Sequence, residues 1–386
     1  MTSQHSTGEG RPRIALVLPG GGARSAYQVG VLKAISGWCR PGVPPPFSIL
    51  CGTSAGAINA AVIGAGAGDF RHAAAELTRV WSAFRVGQVF RSGAVDMLRS
   101  GSHLLLALIS GGWLLSVPKA LFDNTPLRAL LKREINFVRL SHAISSGALD
   151  AIAVTATGLG GGESVTFVQS AAFEPWNRAG RRGLAADISL DHLMASSAIP
   201  LLFAAVPIGH HHFSDGAMRQ TMPLAPAIHL GADRILVIGA RSSHRDLPAP
   251  DKPPDIGEMF GFMLDTLFME GLHADLERVE RTNALLDHLQ GCPPLGLRRI
   301  QTLLMLPRSD PREIAIAHRA AMPRTLRVLL RTLGVAGERG GSLMSYLMFE
   351  SPYTRELIRL GEQDAEARRG EISAFLSLDG HFGSAL

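Results

Sequence analysis

A serine between two glycines is the first feature of this sequence that suggests catalysis. Gly52, Ser54 and Gly56 form a G-x-S-x-G motif that follows an apolar segment and precedes a run of small residues. A strand that turns sharply into a helix at such a motif exposes the serine hydroxyl above the sheet, and the glycines leave room for the backbone and a substrate. The motif therefore predicts that Ser54 is a nucleophile at a strand-to-helix turn.

A run of three glycines lies earlier in the chain, also after an apolar segment. Gly20, Gly21 and Gly22 come shortly before Arg24. Consecutive glycines let backbone amides converge on an anion, either a phosphate or the oxyanion of an acyl-transfer intermediate. The run is a poor dinucleotide motif, because Ser25 stands where the last glycine belongs and no acidic residue follows about 20 residues later. An oxyanion hole is the favoured interpretation, and a purely structural turn is the alternative.

A serine nucleophile needs a base, and one aspartate lies in a suitable setting. Asp215, Gly216 and Ala217 follow a short segment that contains histidines and a phenylalanine. An aspartate at this turn could be held against the Ser54 hydroxyl, whereas an isolated Asp-Gly pair is most often an ordinary turn. Asp215 is the candidate base, with the ordinary turn as the alternative.

A Ser-His-Asp triad is a second way to activate the serine. In α/β-hydrolases the histidine follows the serine and the acid along the chain. Ser54 follows only the second predicted strand, which counts against this arrangement. The histidines that satisfy the order lack a distinctive local sequence: His229, His244, His273, His288 and His318.

Metal ligation is not expected from the histidines or the cysteines. The run His210, His211 and His212 is interpreted as a surface strand, because only alternate residues of a strand share a face and no third ligand is evident. The cysteines are too few and too scattered for a disulfide framework or a zinc knuckle: Cys39, Cys51 and Cys292. We expect no metal, no cofactor and a reducing compartment.

Apolar runs alternate with helical patterns through much of the chain. Strands are predicted at residues 14–18, 47–51, 151–155, 165–168 and 234–239, and helices at 23–36, 54–64, 70–84, 127–135 and 190–195. This alternation is typical of an α/β fold with a mostly parallel sheet. Apart from an apolar run at 300–306, helical patterns dominate the remainder, at 260–290, 324–333, 342–349 and 354–369.

Taken together, the motifs resemble those of the patatin-like phospholipases. The resemblance rests on the glycine run with Arg24, the motif around Ser54 and the Asp-Gly-Ala sequence at Asp215, in that order. Residues 124–128 and 195–200 are similar to connecting segments of bacterial patatins, and residues 345–355 to the tail of some bacterial members. The similarity covers about residues 13–240.

The resemblance implies a three-layer α/β fold and hydrolysis of lipid acyl esters, of the phospholipase A or lysophospholipase type. It implies a catalytic dyad of Ser54 and Asp215 without histidine, acting through an acyl-enzyme and without a cofactor. The implied oxyanion hole consists of the amides around the glycine run, with Arg24 as a further contributor: Gly20, Gly21 and Gly22.

One residue departs from the family pattern. Ser25 follows Arg24, where the family usually has a glycine. A side chain there could narrow the glycine loop and weaken catalysis. This departure supports a third hypothesis, in which the chain is a lipid-binding scaffold with little catalytic activity.

The expected organisation is a catalytic region with a helical extension. We predict a disordered polar tail at residues 1–12, a catalytic domain at 13–240, a linker at 241–254 and a mainly helical extension at 255–386 that packs on the core. The longest apolar stretch, residues 104–117, is shorter than the roughly 20 residues that span a bilayer. Within an insertion at about 85–122, it is predicted to be a buried helix or, alternatively, a lid or membrane-interfacial helix.

Composition narrows the partners and the location. A hydrophobic content of 46% with 18% charged residues excludes a disordered chain. The net charge of +5 suits an anionic surface, but the basic residues are spread along the chain, so no nucleic-acid partner is expected. The polar N-terminal segment contains no apolar signal region. We expect a cytoplasmic protein that acts on a lipid ester and associates peripherally with the inner face of the membrane.

Overall fold

One mixed sheet organises the part of the chain that a computed structural model describes, which comprises residues 12–91, 120–242, 253–289, 297–332, 334–335 and 340–378. Its strands are β1 (Ile14–Leu18), β2 (Ile49–Thr53), β3 (Ala151–Gly158), β4 (Glu163–Ser170), β5 (Trp176–Arg178), β6 (Arg181–Ala185), β7 (Val206–Ile208), β8 (His211–Asp215), β9 (Arg234–Ile238) and β10 (Gln301–Met305).

The helices flank this sheet. They are α1 (Ala26–Trp38), α2 (Ala55–Ala65), α3 (Phe70–Ser82), α4 (Thr125–Glu134), α5 (Phe137–Ser145), α6 (Leu190–Ser196), α7 (Ala225–His229), α8 (Ile256–His288), α9 (Pro311–Ala317), α10 (Arg324–Thr332), α11 (Gly341–Leu347), α12 (Ser351–Ala367) and α13 (Arg369–Phe375). A short 3₁₀ turn, Gly22–Ser25, precedes α1.

The strand order is β10-β9-β1-β2-β3-β4-β6-β5. The five strands from β10 to β3 run parallel, and β4 pairs antiparallel with β3. Near its end, β3 also pairs antiparallel with β8, which forms a hairpin with β7. These pairings confirm the predicted α/β class with a largely parallel central sheet flanked by helices.

Strand β1 illustrates why the apolar runs form the sheet. All five of its residues are buried, so the strand carries an uninterrupted apolar sequence and no alternation with polar residues. Continuous burial is typical of a parallel strand that is covered on both faces. The predicted helix at 23–36 forms α1, which the 3₁₀ turn precedes. The glycine run thus connects a buried strand to a buried helix.

C-terminal elements take part in the core. The apolar run at 300–306 forms β10, which pairs parallel with β9 and extends the sheet. Helix α12 crosses α1 very closely, because a Cβ on Gly30 would lie 2.0 Å from the carbonyl oxygen of Ile358, and one on Gly361 would lie 2.2 Å from that of Tyr27. Only glycine permits this approach of the two helix backbones.

Several predictions concern residues outside the described part of the chain. These include nearly all of the polar tail, most of the linker and the apolar stretch at 104–117. Among the described residues, no helix combines the length and the apolar character needed to cross a membrane.

Candidate active site

Ser54 occupies a sharp turn between β2 and α2. Its backbone φ and ψ are 55° and −129°, a conformation that residues other than glycine rarely adopt. A Cβ on Gly56 would lie 2.0 Å from the carbonyl oxygen of Leu18, and one on Gly52 would lie 2.5 Å from the Cα of Ala57. The glycines of the motif are therefore required by close backbone contacts, and the turn has the geometry of a nucleophile elbow.

A serine on α6 anchors this turn. The Ser54 amide donates a hydrogen bond to Ser196 Oγ at 2.8 Å, and Ser196 Oγ donates to the carbonyl oxygen of Thr155 at 2.6 Å. Ser54 is only 2% exposed. The strained backbone is thus held by hydrogen bonds to two neighbouring elements, as a preorganised nucleophile requires.

Sheet register brings Asp215 close to Ser54. Thr53, at the end of β2, pairs with Thr155 on β3, and the next residue of β3, Ala156, pairs with Asp215 of β8. Because β4 pairs with the opposite edge of β3 along its whole length, β8 continues the edge on which β2 ends. Ser54 and Asp215 thus lie next to each other along the same edge of β3. A Cβ on Gly216 would lie 2.2 Å from the Thr155 carbonyl oxygen, so the turn after Asp215 packs directly on this strand.

The Asp215 carboxylate is deeply buried and only partly satisfied. It is 1% exposed, and its Oδ1 accepts a hydrogen bond from the Ala217 amide at 2.9 Å. Within the described residues, Oδ2 accepts no hydrogen bond of ordinary geometry. The Ser54 hydroxyl nonetheless interacts with the carboxylate and lowers its pKa. The Ser54 hydroxyl and the Asp215 carboxylate are therefore close to each other, but their geometry is looser than that of an ordinary hydrogen bond. Catalytic hydrogen bonds often have such loose geometry before a substrate binds.

Burial sets the proton affinity of this carboxylate. It raises the pKa of Asp215 to about 7, against the opposing effects of the Ser54 hydroxyl and the Ala217 amide. A base with a pKa near 7 accepts a proton more readily than an ordinary aspartate, and about half of it is ionised at pH 7. The environment thus suits Asp215 to proton transfer.

The glycine loop lies directly beside the serine. A Cβ on Gly20 would lie 2.9 Å from the Cβ of Ser54. Gly22 has a φ of +53°, and a Cβ there would lie 2.5 Å from the carbonyl oxygen of Tyr346. Within the described part of the chain, the amides of Gly20 and Gly21 donate no hydrogen bond to the protein. Free amides next to a serine at such a turn are what an oxyanion hole needs.

The Arg24 side chain is committed to a buried polar cluster. Its guanidinium donates to Asp265 Oδ1 at 2.7 Å, to Ser345 Oγ at 2.8 Å and to the Ser342 carbonyl oxygen at 3.2 Å, and it lies 3.9 Å above the ring of Tyr346. Burial alone would lower the pKa of Arg24, but Tyr346 and Asp265 raise it above its ordinary value. The guanidinium therefore stays charged and links the glycine loop to α8 and α11.

Sequence reasoning did not single out the partners of Arg24. Asp265 is the one acidic residue between Glu258 and Glu270, in an otherwise apolar stretch of α8. Burial raises the pKa of Asp265, but Arg24 and the neighbouring hydroxyl groups more than offset this effect, so the pKa is lowered. The sequence signal that could have revealed Asp265 as a buried partner is its position as an isolated acidic residue in an apolar stretch of helix.

Ser25, the departure from the family pattern, fits inside the loop. It is fully buried, and its hydroxyl has no hydrogen-bond partner among the described residues. A Cβ on Gly21 would lie 3.1 Å from Ser25 Oγ. Ser25 fits because Gly21 has no side chain. Its buried hydroxyl lacks a hydrogen bond, which destabilises the folded state by about 1–3 kcal/mol.

A narrow apolar cavity begins at Ser54 and follows α2. Ser54, Ile58 and Val62 line it at intervals of four residues, which corresponds to about 12 Å along the helix. Among the described residues that line it, Glu134, which is paired with Arg79, is the one carboxylate. The other walls come from α3, α4 and the segment after α11 and include Leu77, Val80, Trp81, Phe84, Leu127, Leu131 and Phe349.

Among the described residues, no hydrogen bond joins a histidine to Ser54 or Asp215. His229 stacks on Trp176 with ring centroids 4.6 Å apart, and burial and the nearby Arg178 lower its pKa. His211 and His212 are exposed on β8, as the surface-strand interpretation predicts. His244 is outside the described residues, within which no group of three or more His, Cys, Asp or Glu side chains could hold a metal ion.

Comparison with protein families decides the relationship of this chain. A family model described as patatin-like phospholipase matches residues 16–228. The chain belongs to the patatin-like phospholipase family. The match includes the glycine run, Ser54 and Asp215, and membership supports lipid hydrolase activity. The buried partners of Arg24 on α8 and α11 lie beyond the matched residues.

Two solved structures are distantly similar to this patatin-like chain. One is VipD from Legionella pneumophila, with a TM-score of 0.37, 12% identity, and coverage of 96% of this chain and 67% of that chain. Another is human GIVD cytosolic phospholipase A2 in complex with methyl gamma-linolenyl fluorophosphonate, with a TM-score of 0.44 and 12% identity. This match covers 95% of this chain and 59% of that chain. No curated protein matches the chain.

Proposed function

We propose that this patatin-like chain is a serine lipid acyl hydrolase of the phospholipase A or lysophospholipase type. The observation that carries the proposal is the position of Ser54, at a strained elbow where the apolar cavity begins and beside a carboxylate with a pKa of about 7. The cavity would hold the acyl chain, and its entrance would hold the ester carbonyl. We propose Ser54 as the nucleophile and Asp215 as the general base.

The proposed reaction proceeds in two half-reactions. Asp215 takes the Ser54 proton as Oγ attacks the acyl carbon, and the carbonyl oxygen becomes an oxyanion next to the amides of Gly20 and Gly21. The intermediate collapses to an acyl-enzyme, and the alcohol leaves with the proton from Asp215. Asp215 then removes a proton from water, which attacks the acyl carbon, and the second intermediate releases the fatty acid and returns the proton to Ser54.

Covalent labelling tests the nucleophile. We expect an alkyl fluorophosphonate to modify Ser54 stoichiometrically, because an activated serine attacks its phosphorus, expels fluoride and becomes phosphonylated. Mass spectrometry of peptides locates the adduct. The Ser54→Ala variant should stay unlabelled, whereas Ser197→Ala, which removes another hydroxyl from the same cavity, should be labelled at Ser54. A folded wild-type protein that remains unlabelled would favour the scaffold hypothesis. Fatty-acid release from a panel of lipid classes would then identify the substrate class.

Acyl-chain length provides a second test. Val62 lies two helical turns below Ser54 on the cavity wall, so a Val62→Trp substitution should shorten the space for the chain. Because each buried CH₂ contributes roughly 0.8 kcal/mol, excluding a few of them should lower kcat/KM for p-nitrophenyl palmitate more than tenfold. Hydrolysis of the butyrate ester should change little. The exposed Val138→Trp variant is the control, and equal losses on both esters would contradict this assignment of the cavity.

We also propose a role for the C-terminal extension. Phe268 on α8 occupies the space beside Gly20, since a Cβ on that glycine would lie 2.3 Å from the phenylalanine ring. Tyr346 from α11 contacts Gly22, and Asp265 binds Arg24. The residues after 254 would thus complete the catalytic site by supporting its glycine loop.

A further inference from the structure

The first two turns of α8 present an apolar face to solvent. Ile256, Met259, Phe262 and Met263 are 76%, 52%, 59% and 40% exposed. At about 100° per residue, their directions fall within an arc of about 120° on one side of the helix. Farther along the same side the exposed residues become polar, as at Glu270. The four exposed apolar residues of these first two turns thus form one patch, which we call the α8 patch.

The opposite side of the same turns is packed against the active-site supports. Leu264 is fully buried, and a Cβ on Gly261 would lie 2.8 Å from the amide nitrogen of Leu343 on α11. Asp265 binds Arg24, and Phe268 adjoins Gly20, as described above. The α8 patch is thus the outer face of the helix whose inner face holds the glycine loop.

Unpaired basic residues lie on the neighbouring helix α10. Its end adjoins the start of α8, because a Cβ on Gly334 would lie 2.2 Å from the Cβ of Asp255. The inner side chains of α10 are buried, whereas Arg324 and Arg331 are exposed and Arg327 is half-buried. Within the described residues, these three arginines form no ion pair.

Acidic residues at the start of α8 are engaged with its own N-terminus. The Asp255 amide donates to Glu258 Oε2 at 3.3 Å, in a capping box that involves both side chains. These carboxylates stabilise the positive end of the helix. These two carboxylates therefore do not neutralise the arginines of α10, whose charges remain available near the start of α8.

We propose that the α8 patch, together with the arginines of α10, docks on an anionic lipid bilayer. Apolar side chains with exposed arginines on a neighbouring helix match a bilayer interface, where the apolar groups enter the acyl boundary and the arginines attract anionic headgroups. The inference rests on the proposed function insofar as the substrate is a lipid. Docking here would hold the glycine loop at roughly 10 Å from the lipid surface, because α8 lies between the two.

Vesicle flotation of the full chain tests the docking surface. The Ser54→Ala protein is used so that lipid turnover does not change the vesicles. We expect binding to phosphatidylcholine vesicles that contain phosphatidylglycerol, and a loss of at least tenfold in the double variant Met259→Glu/Phe262→Glu. The double variant Arg324→Glu/Arg331→Glu should lose the preference for anionic vesicles. Leu285→Glu is the matched control, since Leu285 is 66% exposed on the same helix, about 35 Å from Phe262.

The outcomes separate docking from catalysis. With Ser54 intact, the variants of the patch and of α10 should hydrolyse p-nitrophenyl butyrate at the wild-type rate. If the wild type lacks esterase activity but the patch variant loses vesicle binding, the proposed function fails and the docking surface stands. Equal binding of the patch variant and Leu285→Glu would overturn the proposal. A change from dimer to monomer on sedimentation, with vesicle binding unchanged, would overturn it in favour of self-association.

Discussion

Replacing Asp215 with asparagine is expected to lower kcat for ester hydrolysis by about 10²–10⁴-fold, the range that a positioned general base contributes. The substitution keeps the side-chain shape and an oxygen that can accept from the Ala217 amide, as Oδ1 now does at 2.9 Å. It removes the carboxylate that would take the Ser54 proton. Steady-state hydrolysis of p-nitrophenyl butyrate measures the loss, and an unchanged kcat would exclude Asp215 as the base.

The pH profile of the wild type follows from the same carboxylate. Burial raises the pKa of Asp215 to about 7, and the residue acts as a base only when ionised. We therefore expect kcat/KM to rise with pH, to reach half its maximum at about pH 7 and to level off at higher pH. Residual activity of the asparagine variant should lack this step.

Histidine substitutions separate the dyad from a triad, because an ordinary histidine titrates in the same range. Single glutamine variants should keep both the rate and the pH step if Asp215 acts alone. The positions to substitute are His229, His244, His273, His288 and His318. One variant as inactive as Ser54→Ala would favour the triad.

Stability provides a control for the Asp215 variant. The pKa of Asp215 is raised in the folded protein, so the folded state binds its proton more tightly than the unfolded state. The contribution of this group therefore becomes less favourable as pH rises from about 4 to about 7, and it stays so above that range. The neutral asparagine variant should then be more stable than the wild type above pH 7, by on the order of 4 kcal/mol, in urea unfolding. A variant that is stabilised but inactive has lost chemistry and not its fold.

Local patterns were sufficient to predict the main elements of the fold. The continuous apolar sequence of β1 and the glycines after it predicted a buried strand, a loop and a helix, which the structure contains. For Asp215, local sequence left two interpretations open, a catalytic base or an ordinary turn, and the family resemblance was needed to favour the base. An aspartate before a glycine is common in ordinary turns, and its neighbour Ser54 is far away in the sequence. Only the antiparallel pairing of β8 with β3 brings the two together.

Long-range packing was beyond the reach of sequence patterns. Arg24 and Asp265 are 241 positions apart, and each lies in a segment whose local pattern only predicts a helix or a loop. The cavity could not be predicted from the sequence either, because its walls combine side chains from α2, α3 and α4. Such sites depend on how helices pack on one sheet, and periodicity does not specify that arrangement.

The second large effect is expected from the ion pair that supports the glycine loop. The side chains of Arg24 and Asp265 are 1% and 6% exposed. Asp265 also accepts hydrogen bonds from Ser342 Oγ at 2.7 Å and from the Tyr346 hydroxyl at 3.0 Å. An Asp265→Ala substitution would leave the guanidinium buried without its counter-charge. We expect a loss of about 3–5 kcal/mol in the free energy of unfolding, measured by urea denaturation.

Catalysis should be affected by the same substitution. The backbone of the glycine loop is continuous with Arg24, so a displaced guanidinium moves the amides of Gly20 and Gly21 away from the oxyanion. Removing one oxyanion-hole donor typically lowers kcat by about 10²–10³-fold. Under conditions in which Asp265→Ala remains folded, kcat should fall by a similar factor. The KM for a short soluble ester should change little, because its binding depends mainly on the cavity.

A double substitution distinguishes support of the loop from stability alone. In Arg24→Met/Asp265→Leu both buried charges are replaced by apolar side chains of similar volume, which is often neutral or stabilising. Ser342 Oγ retains its hydrogen bond to the Gly261 carbonyl oxygen at 3.1 Å. We therefore expect unfolding free energy near that of the wild type but a kcat that stays low, because no guanidinium then ties the loop to α8 and α11. Recovery of both quantities would mean that the pair stabilises the fold without positioning the glycine loop.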